Sequence, residues 1–183
     1  MNCGALILAA GSSSRLGRPK QLVHLEGETL LDRSIRIAQE AGCTPVVVVL
    51  GAYENRIRNH CKLQGCLIIT NPNWPDGMGT SLSCGVRMFD DVQGVIVMTC
   101  DMPSVTSDHL RSLASSGAAT ASSYAGHKGV PAYFPRDLFP ELMKIMGDSG
   151  AKDLLRSADA IELAGGAVDI DTQADLARIG SAG

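Results

Sequence analysis

The 183-residue sequence predicts an α/β fold, a three-layer α/β/α arrangement around a mostly parallel, Rossmann-like sheet. Apolar runs with strand character alternate with segments of helical spacing along the whole chain. Glycine is frequent, at 20 residues, and aromatic residues are only 4% of the composition, which is typical of strands and helices joined by tight turns. Four consecutive valines at 46–49 indicate a strand covered on both faces, as in parallel sheets.

The strands are predicted from apolar runs that end in glycine, proline or polar residues. The first run ends before a polar loop at 11–20, the second contains the four valines, and the fourth ends at Asp101. Two shorter runs flank a turn that contains Gly126. The predicted strands are 3–10, 45–50, 66–70, 94–100, 118–124 and 130–134, with short strands or extended pieces at 160–163 and 167–170.

The helices are predicted from apolar residues that recur at helical spacing, as in Leu30, Leu31, Ile35 and Ala38 of the first helix. Thr106 or Ser107 provides an N-cap for the fourth. The predicted helices are 29–41, 53–62, 80–89, 106–115, 137–146, 151–157 and 172–179. Because no repeat, linker or low-complexity segment interrupts this order, we expect residues 1–183 to form a single domain.

Composition excludes several classes of protein. The net charge is −3 and the pI about 5.8, so no broad basic surface is expected to attract nucleic acid or an anionic membrane. No apolar run reaches the roughly 18 residues of a membrane span, and no basic segment precedes the first apolar run. The six cysteines form no Cys-x-x-Cys pair. We therefore expect free thiols rather than zinc or disulfide chemistry, and a reducing, cytoplasmic location.

Residues 8–20 carry three cations within six positions, after a strand and a run of small residues. Small residues let backbone N–H groups approach an anion, Arg15 can bind phosphate oxygens with its forked guanidinium, and Lys20 adds a mobile charge. The segment is not a Walker A loop, since Pro19 precedes the lysine, and it is not Gly-x-Gly-x-x-Gly, since Ser13 replaces the second glycine. An ordinary solvated loop is the alternative interpretation.

This segment resembles the signature loop of the MobA-like nucleotidyltransferases, Leu-x-x-Gly-x-x-x-Arg-x-Gly-x-x-Lys, which Leu8, Gly11, Arg15, Gly17 and Lys20 match without a gap. Within that superfamily the chain is most similar to the cytidylyltransferases of molybdenum cofactor maturation, over nearly its whole length. The resemblance implies a fold of the nucleotide-diphospho-sugar transferase type, with catalytic roles for Arg15 and Lys20. It also implies a set of nucleotide-binding residues: Leu8, Ala9, Ala10, Gly11, Ser12, Arg15, Lys20, Asp76, Gly79 and Ser81.

Residues 71–82 form a second candidate segment, in which a glycine-rich turn leads into a helix that Thr80 or Ser81 is expected to cap. The resemblance makes this segment the wall for base and ribose, with Ser81 contacting the base. Gly77 and Gly79 would allow close approach of the nucleotide. A plain helix start is the alternative, and Trp74 is expected to pack the loop rather than stack on a base.

Acidic residues provide candidate ligands for Mg²⁺ (or Mn²⁺), which takes oxygen ligands and usually one or two carboxylates. Asp101 ends an apolar strand, and the resemblance assigns it a metal-binding and catalytic role; a turn cap is the alternative. Met102 follows it where the most similar relatives have Gln. Near the carboxyl end, alternation places Asp169 and Asp171 on one face of an extended segment. Asp169 is preferred as the second metal ligand, and Asp171 is expected to cap the last helix.

Two further segments resemble the acceptor side of the family, 124–134 and the Gly-Asp-x-Gly-Ala turn at 147–151. His127 and Lys128 would meet an acceptor phosphate or lie on an exposed turn, and Asp148 would line the acceptor pocket or begin a helix. The resemblance implies transfer of CMP from CTP to a small phosphorylated acceptor, molybdopterin first, with release of pyrophosphate.

Other functions stay open at this point. The Ala10-Gly11 pair favours CTP over GTP, since guanylyl-transferring relatives tend to have Gly-Gly. A sugar phosphate or an isoprenoid precursor is an alternative acceptor. A non-catalytic nucleotide-binding or cofactor-binding chaperone for a molybdenum hydroxylase would need the same cations but not the carboxylates. A dinucleotide-binding oxidoreductase is disfavoured by the missing glycine motif.

Overall fold

A computed structural model of the chain describes residues 2–149 and 151–180. Nine strands are found in this part of the chain: β1 Cys3–Ala9, β2 His24–Leu25, β3 Glu28–Thr29, β4 Val46–Leu50, β5 Leu67–Thr70, β6 Gly94–Thr99, β7 Thr120–Tyr124, β8 His127–Pro135 and β9 Asp159–Glu162. The described α-helices are α1 Leu30–Glu40, α2 Glu54–His60, α3 Met78–Val86, α4 Ser107–Ser115, α5 Phe139–Leu142, α6 Lys152–Arg156 and α7 Gln173–Gly180.

Seven of the strands form one mostly parallel sheet in the order β5-β4-β1-β6-β8-β7-β9. Strands β5, β4, β1 and β6 run parallel to one another, and β7 and β9 are also parallel. Only β8 is antiparallel to its two neighbours, β6 and β7, among these pairings. β2 and β3 form a separate two-stranded hairpin.

Helices cover both faces of the sheet, which confirms the predicted three-layer arrangement. Side chains alternate along β1: Ala5 and Ile7 pack with α1, α2 and α4, whereas Leu6 and Leu8 pack with α3, α5 and α6 on the other face. The four valines of β4 divide between the same two clusters and are buried. Burial on both faces explains why these strands read as continuous apolar runs.

Three sequence predictions are corrected. Residues 167–170 do not form a strand: the Ile170 N–H donates to the carbonyl of Asp101 at 2.9 Å, and its side chain is buried with Leu16 and Leu30, so the segment lies against loops. The expected helix at 137–146 is a 3₁₀ turn at Arg136–Leu138 followed by the single turn of α5. Helix α3 begins two residues before Thr80, so neither Thr80 nor Ser81 is its N-cap.

The sheet brings two of the candidate segments together. β1 and β6 are parallel neighbours, with Leu8 paired to Thr99, so the loop after Ala9 and the turn at Asp101 emerge side by side at the carboxyl edge. Ligands of open α/β sheets bind at this edge. None of the described helices combines the length and apolar character that a membrane-spanning segment requires.

Candidate active site

A cleft of about 460 Å³ lies at the carboxyl edge of the sheet. Its walls come from the loop after β1, the turn after β6, the segment before α3 and the 3₁₀ turn Gly147–Ser149. The lining residues are Leu8, Ala9, Ala10, Gly11, Ser12, Ser14, Arg15, Lys20, Gln21, Trp74, Pro75, Gly77, Met78, Ser81, Thr99, Cys100, Asp101 and Asp148.

The loop after β1 presents backbone donors to this cleft. The N–H groups of Gly11, Ser12 and Ser14 donate to no acceptor within residues 2–149 and 151–180, although all three residues line the cleft. A β-carbon added at Gly11 would meet no atom within 4 Å, so the space beside it is open. Unpaired N–H groups along a concave loop make a binding place for an anion.

Lys20, at the end of this loop, pairs with two acidic residues. Its Nζ donates to Asp101 Oδ2 and, at 2.8 Å, to Asp171 Oδ1. Arg15 Nη2 donates to the other oxygen of Asp171 at 2.7 Å. Burial lowers the pKa of Lys20, but the charge of Asp101 and hydrogen bonds to Asp101 and Asp171 outweigh that effect and raise it. Lys20 is therefore an ammonium ion at neutral pH.

The carboxylates have capacity for a further cation. Asp101 is 7% exposed, and its Oδ1 is buried without a hydrogen-bond partner in the described part of the chain. Desolvation of its carboxyl group, together with the charges of Asp101 and Asp171, raises the pKa of Asp169 to about 6, although the residue as a whole is exposed. Asp101 and Asp171 pair with Lys20, and Asp169 lies close enough to feel the charges of all three, although neither Asp169 nor Asp171 lines the cleft.

This donor set fits a hard divalent cation, because an orphaned carboxylate oxygen in an acidic cluster is the ligand that such ions prefer. The described residues contain no group of three His, Cys, Asp or Glu side chains that would hold a metal ion by themselves. Oxygen ligands from a bound substrate would have to complete such a site, as is usual for Mg²⁺.

Asp171 does not cap the last helix, contrary to the sequence prediction. Thr172 and Asp175 form the cap: Asp175 Oδ2 accepts from the Thr172 N–H at 2.8 Å, and Thr172 Oγ1 accepts from the Asp175 N–H at 3.3 Å. Both oxygens of Asp171 are free to pair with Lys20 and Arg15. Burial raises the pKa of Asp171, but these two cations outweigh it and lower the pKa.

The opposite wall of the cleft is built around Ser81. Its Oγ accepts from Asn71 Nδ2 at 3.0 Å, and its own hydrogen is donated to no acceptor in the residues described. Trp74 packs across Gly51, where an added β-carbon would lie 2.7 Å from the tryptophan Cβ, so it supports the loop as expected while also lining the cleft.

Asp76 and Gly79 do not line the cleft, although both were expected to bind nucleotide. Asp76 is exposed at the end of the 3₁₀ turn Trp74–Asp76. Gly79 is buried, and an added β-carbon would lie 2.8 Å from the carbonyl oxygen of Gly147. Gly77 similarly lies against Asp148, whose Oδ1 would be 2.6 Å from an added β-carbon. Both glycines therefore leave room for the 147–149 loop, and Gly77 also lines the cleft.

The two basic residues expected on the acceptor side lie in the β7–β8 hairpin. Lys128 Nζ donates to the carbonyls of Ala158 at 2.6 Å and Arg156 at 3.2 Å, at the end of α6, so it has a structural role. His127 packs edge-to-face on Tyr124 with ring centroids 4.8 Å apart. Neither residue lines the cleft, whereas Asp148 does.

Several residues line the cleft without having been predicted individually as site residues: Gln21, Pro75, Met78, Thr99 and Cys100. Thr99 and Cys100 immediately precede Asp101, so their place in the cleft follows from its own. Whether Gln21, Pro75 and Met78 line the cleft depends on how the loops pack. Gln21 follows Lys20 directly, and only its burial reveals that it faces the loop.

Comparisons with known proteins identify the family of the chain. Residues 5–162 match the model of the MobA-like NTP transferase domain. The chain is 28% identical over 192 residues to nicotine blue oxidoreductase of Paenarthrobacter nicotinovorans, which covers 95% of this chain and 94% of that protein. It is 30% identical to purine catabolism protein PucB of Bacillus subtilis, covering 89% and 83% of the two chains. It is 32% identical to molybdenum cofactor cytidylyltransferase of Escherichia coli, covering 70% and 66%.

Solved structures share the whole fold. Rv0371c of Mycobacterium tuberculosis superposes with a TM-score of 0.85 at 26% identity, over 98% of this chain and 97% of that chain, and it has also been solved in complex with manganese. A nucleotidyl transferase of Methanothermobacter thermautotroptrophicus superposes with a TM-score of 0.82 at 22% identity, over 97% and 95% of the chains. The fold, the loop after β1 and the family model agree, and the chain belongs to the MobA-like NTP transferase family of nucleotidyltransferases.

Proposed function

We propose that this nucleotidyltransferase moves CMP from CTP to a small phosphorylated acceptor, with molybdopterin as the first choice. An oxygen of the acceptor phosphate attacks the α-phosphorus of CTP, the bond from that phosphorus to the β-phosphate oxygen breaks, and pyrophosphate leaves. The observation that carries the proposal is the convergence of unpaired N–H groups, two cations and an orphaned carboxylate oxygen in one cleft.

The loop after β1 would bind the triphosphate. The unpaired N–H groups of Gly11 and Ser12 would donate to phosphate oxygens, and Arg15 and Lys20 would add positive charge beside them. The raised pKa of Lys20 keeps it charged, so its role is to stabilise negative charge on the leaving pyrophosphate rather than to accept a proton. Bound phosphate would compete with Asp171 for both cations.

Asp101 and Asp169 would hold Mg²⁺ or Mn²⁺, with Asp171 as the alternative second ligand. When bound, the ion would neutralise charge on phosphate oxygens. The orphaned Oδ1 of Asp101 and the crowding of three carboxylates support this assignment. The choice of Asp169 is favoured because Asp171 is already engaged by Arg15 and Lys20.

Ser81 would contact the base. Because its Oγ already accepts from Asn71, its hydrogen is available for donation to a ligand acceptor, and cytosine presents such acceptors on its pairing edge. The Ala10-Gly11 pair and the similarity to a cytidylyltransferase favour CTP, whereas guanylyl transfer from GTP is the alternative.

Similarity to a molybdenum cofactor cytidylyltransferase supports molybdopterin as the acceptor. Molybdopterin carries the phosphate that the reaction needs, and the nucleotide-bearing product would be passed on in transient contact with a molybdenum hydroxylase. A sugar phosphate or an isoprenoid precursor would satisfy the same chemistry. A non-catalytic cofactor chaperone would bind nucleotide without releasing pyrophosphate.

A second candidate function, oxidoreduction, is favoured by one comparison. The relative from Paenarthrobacter nicotinovorans is named as an oxidoreductase and is similar over 95% of this chain. In this candidate the loop after β1 would bind the pyrophosphate of a nicotinamide dinucleotide. The two candidates differ in whether the nucleotide is cleaved.

A pyrophosphate-release assay tests the proposal. CTP, GTP and ATP are supplied in turn, each with and without molybdopterin and with Mg²⁺, Mn²⁺ or chelator. Oxidation of NADH and NADPH by an artificial electron acceptor is followed in parallel. We expect pyrophosphate only when CTP, molybdopterin and a divalent ion are all present. Pyrophosphate release with GTP but not with CTP would reassign the nucleotide. Oxidation of NADH or NADPH without pyrophosphate release would favour the second candidate.

A further inference from the structure

Gln21 is the most deeply buried polar residue next to the loop after β1. It is 1% exposed, lines the cleft and lies in the 3₁₀ turn Lys20–Leu22, directly after the catalytic candidate Lys20. Its side-chain Nε2 donates to the carbonyl oxygen of Ala9 at 2.7 Å and to that of Gly11 at 3.2 Å. One amide group thus bridges both ends of a three-residue segment.

The carbonyl between these two also has a donor. Ala10 O accepts from the Ala52 N–H at 2.9 Å. Three consecutive carbonyl oxygens are therefore held by donors from the protein, whereas the N–H groups of Gly11 and Ser12 have no acceptor among the described residues. A carbonyl oxygen that faced the cleft would repel phosphate, so holding all three in place favours the presentation of N–H groups.

The orientation of the Gln21 amide is determined by its partners. Both are carbonyl oxygens, which only the NH₂ side of the amide can contact. Its Oε1 is then left buried without a hydrogen-bond donor in the described part of the chain. A methionine would fill similar volume without this unsatisfied oxygen, so the glutamine is not explained by packing alone.

We propose that Gln21 is a positioning residue that shapes the loop of residues 9–12 into an anion cradle by binding the carbonyls of Ala9 and Gly11. This inference rests on the proposed binding of a triphosphate to that loop. Gln21 acts through the backbone, and the N–H groups of Gly11 and Ser12 make the contact with the ligand.

Two substitutions test the role of the amide donors. Gln21→Glu keeps the shape but places carboxylate oxygens against two carbonyls, and Gln21→Met keeps the volume without donors or charge. The matched control is Gln39→Glu, because the Gln39 amide donates to one backbone carbonyl, that of Gln64 at 2.8 Å, on the exposed surface. The probe is inorganic tripolyphosphate, titrated by calorimetry, followed by steady-state kinetics with CTP.

We expect both Gln21 variants to bind tripolyphosphate about tenfold or more weakly, with Gln39→Glu unchanged. The KM for CTP should rise while the KM for the acceptor stays constant, a split that a general loss of stability would not produce. Wild-type affinity in folded Gln21→Met would overturn the inference and leave the proposed function standing. A wild-type protein that binds neither tripolyphosphate nor CTP would overturn both.

A measurement on the unsubstituted protein covers the case in which both variants fail to fold. The side-chain NH₂ protons of Gln21 should exchange slowly with water by NMR. The amide signals of Gly11 and Ser12 should shift on addition of tripolyphosphate. Exchange of the Gln21 protons at the rate of a free glutamine side chain would show that the bridge is absent.

Discussion

Lys20 is the residue on which the charges of the cleft converge. It lies between Asp101 and Asp171, which are 81 and 151 positions away in the sequence. Its ammonium offsets part of the negative charge of Asp101 and Asp171. Under the proposed function it would stabilise a bound phosphate that displaces Asp171. The chemistry proposed for the site needs charge and position rather than a covalent intermediate.

Lys20→Met is expected to lower the rate of pyrophosphate release by about 100-fold or more, because one preorganised cation at a reacting phosphate contributes on that scale. Lys62→Met is the matched control, since Lys62 is exposed and its side chain lies outside the cleft. The measurement is release from CTP at saturating acceptor. Equal rates for the two variants would remove Lys20 from the mechanism.

Asp101→Asn is expected to weaken the binding of Mn²⁺ and to abolish metal-dependent release of pyrophosphate. The amide has nearly the same volume and still accepts from Lys20, so the lost property is the negative charge at Oδ1. Mn²⁺ binding is followed by electron paramagnetic resonance, which needs no turnover. Asp108→Asn on α4 serves as the control.

The same titration on Asp169→Asn and Asp171→Asn identifies the second ligand. We expect the larger loss of Mn²⁺ affinity for Asp169→Asn. A larger loss for Asp171→Asn would transfer that role to Asp171. Unchanged affinity in Asp101→Asn would contradict the proposed metal site altogether.

At the scale of elements, α4 is joined to the sheet by a partly buried polar pair. Ser122 Oγ donates to the carbonyl of Pro131 at 2.6 Å, so its oxygen is the acceptor for His109 Nε2 at 2.8 Å. This arrangement fixes the Nε2–H tautomer of the histidine. The serine hydrogen is committed to a carbonyl and the imidazole donates to the serine, so the pair joins α4 to β7 and β8 rather than forming a nucleophile.

Stability should depend on pH through His109. Burial lowers the pKa of His109 below its ordinary value of 6.5, so the unfolded chain takes up the proton first as the pH falls. The contribution of His109 to stability is complete above pH 6.5 and decreases as the pH falls from there toward the lower pKa of the folded state. His109→Gln should remove this part of the dependence.

The comparison uses urea unfolding of both proteins at pH 7.5, 6.5 and 5.5. Carboxylates affect both chains equally, so the difference between the two slopes isolates the histidine. Parallel dependence on pH in the two proteins would show that His109 is solvated in the folded state.

At the scale of the whole molecule, the cleft is assembled from loops that converge on one edge of the sheet. The segment that carries Asp169 and Asp171 does not line the cleft, but Asp171 pairs with two residues that do, Arg15 and Lys20. Ile170 anchors that segment through its backbone bond to Asp101 and its burial beside Leu16 and Leu30. A ligand that contacts the first loop and the acidic residues therefore connects parts of the chain more than 150 positions apart, and it should stabilise the fold as a whole.

CTP with Mg²⁺ should raise the midpoint of thermal unfolding, since a ligand at 100 times its dissociation constant adds about 2.7 kcal/mol of stability. We expect CTP to raise the midpoint more than GTP or ATP at equal concentration, and Lys20→Met to reduce the shift. A larger shift with GTP would favour guanylyl transfer.

Much of the fold was predictable because its cause is local. Strands buried on both faces must be apolar throughout, as in Val46–Leu50, and amphipathic α1 must present one apolar stripe to the sheet. The prediction of a strand at 167–170 was wrong because alternation of apolar residues does not distinguish a strand from a segment that packs against loops.

The fold class, the candidate phosphate-binding loop at 8–20 and the candidate carboxylates Asp101, Asp169 and Asp171 could all be identified from the sequence, since each depends on residue types at fixed short spacing. Three contacts could be found only in the folded chain: Asp171 pairs with Lys20 and Arg15, Gly79 leaves room for the 147–149 loop, and Gln21 donates to the loop carbonyls. These contacts are made by side chains brought together by the packing of loops, whose conformations do not follow from the periodicity of the residues they join.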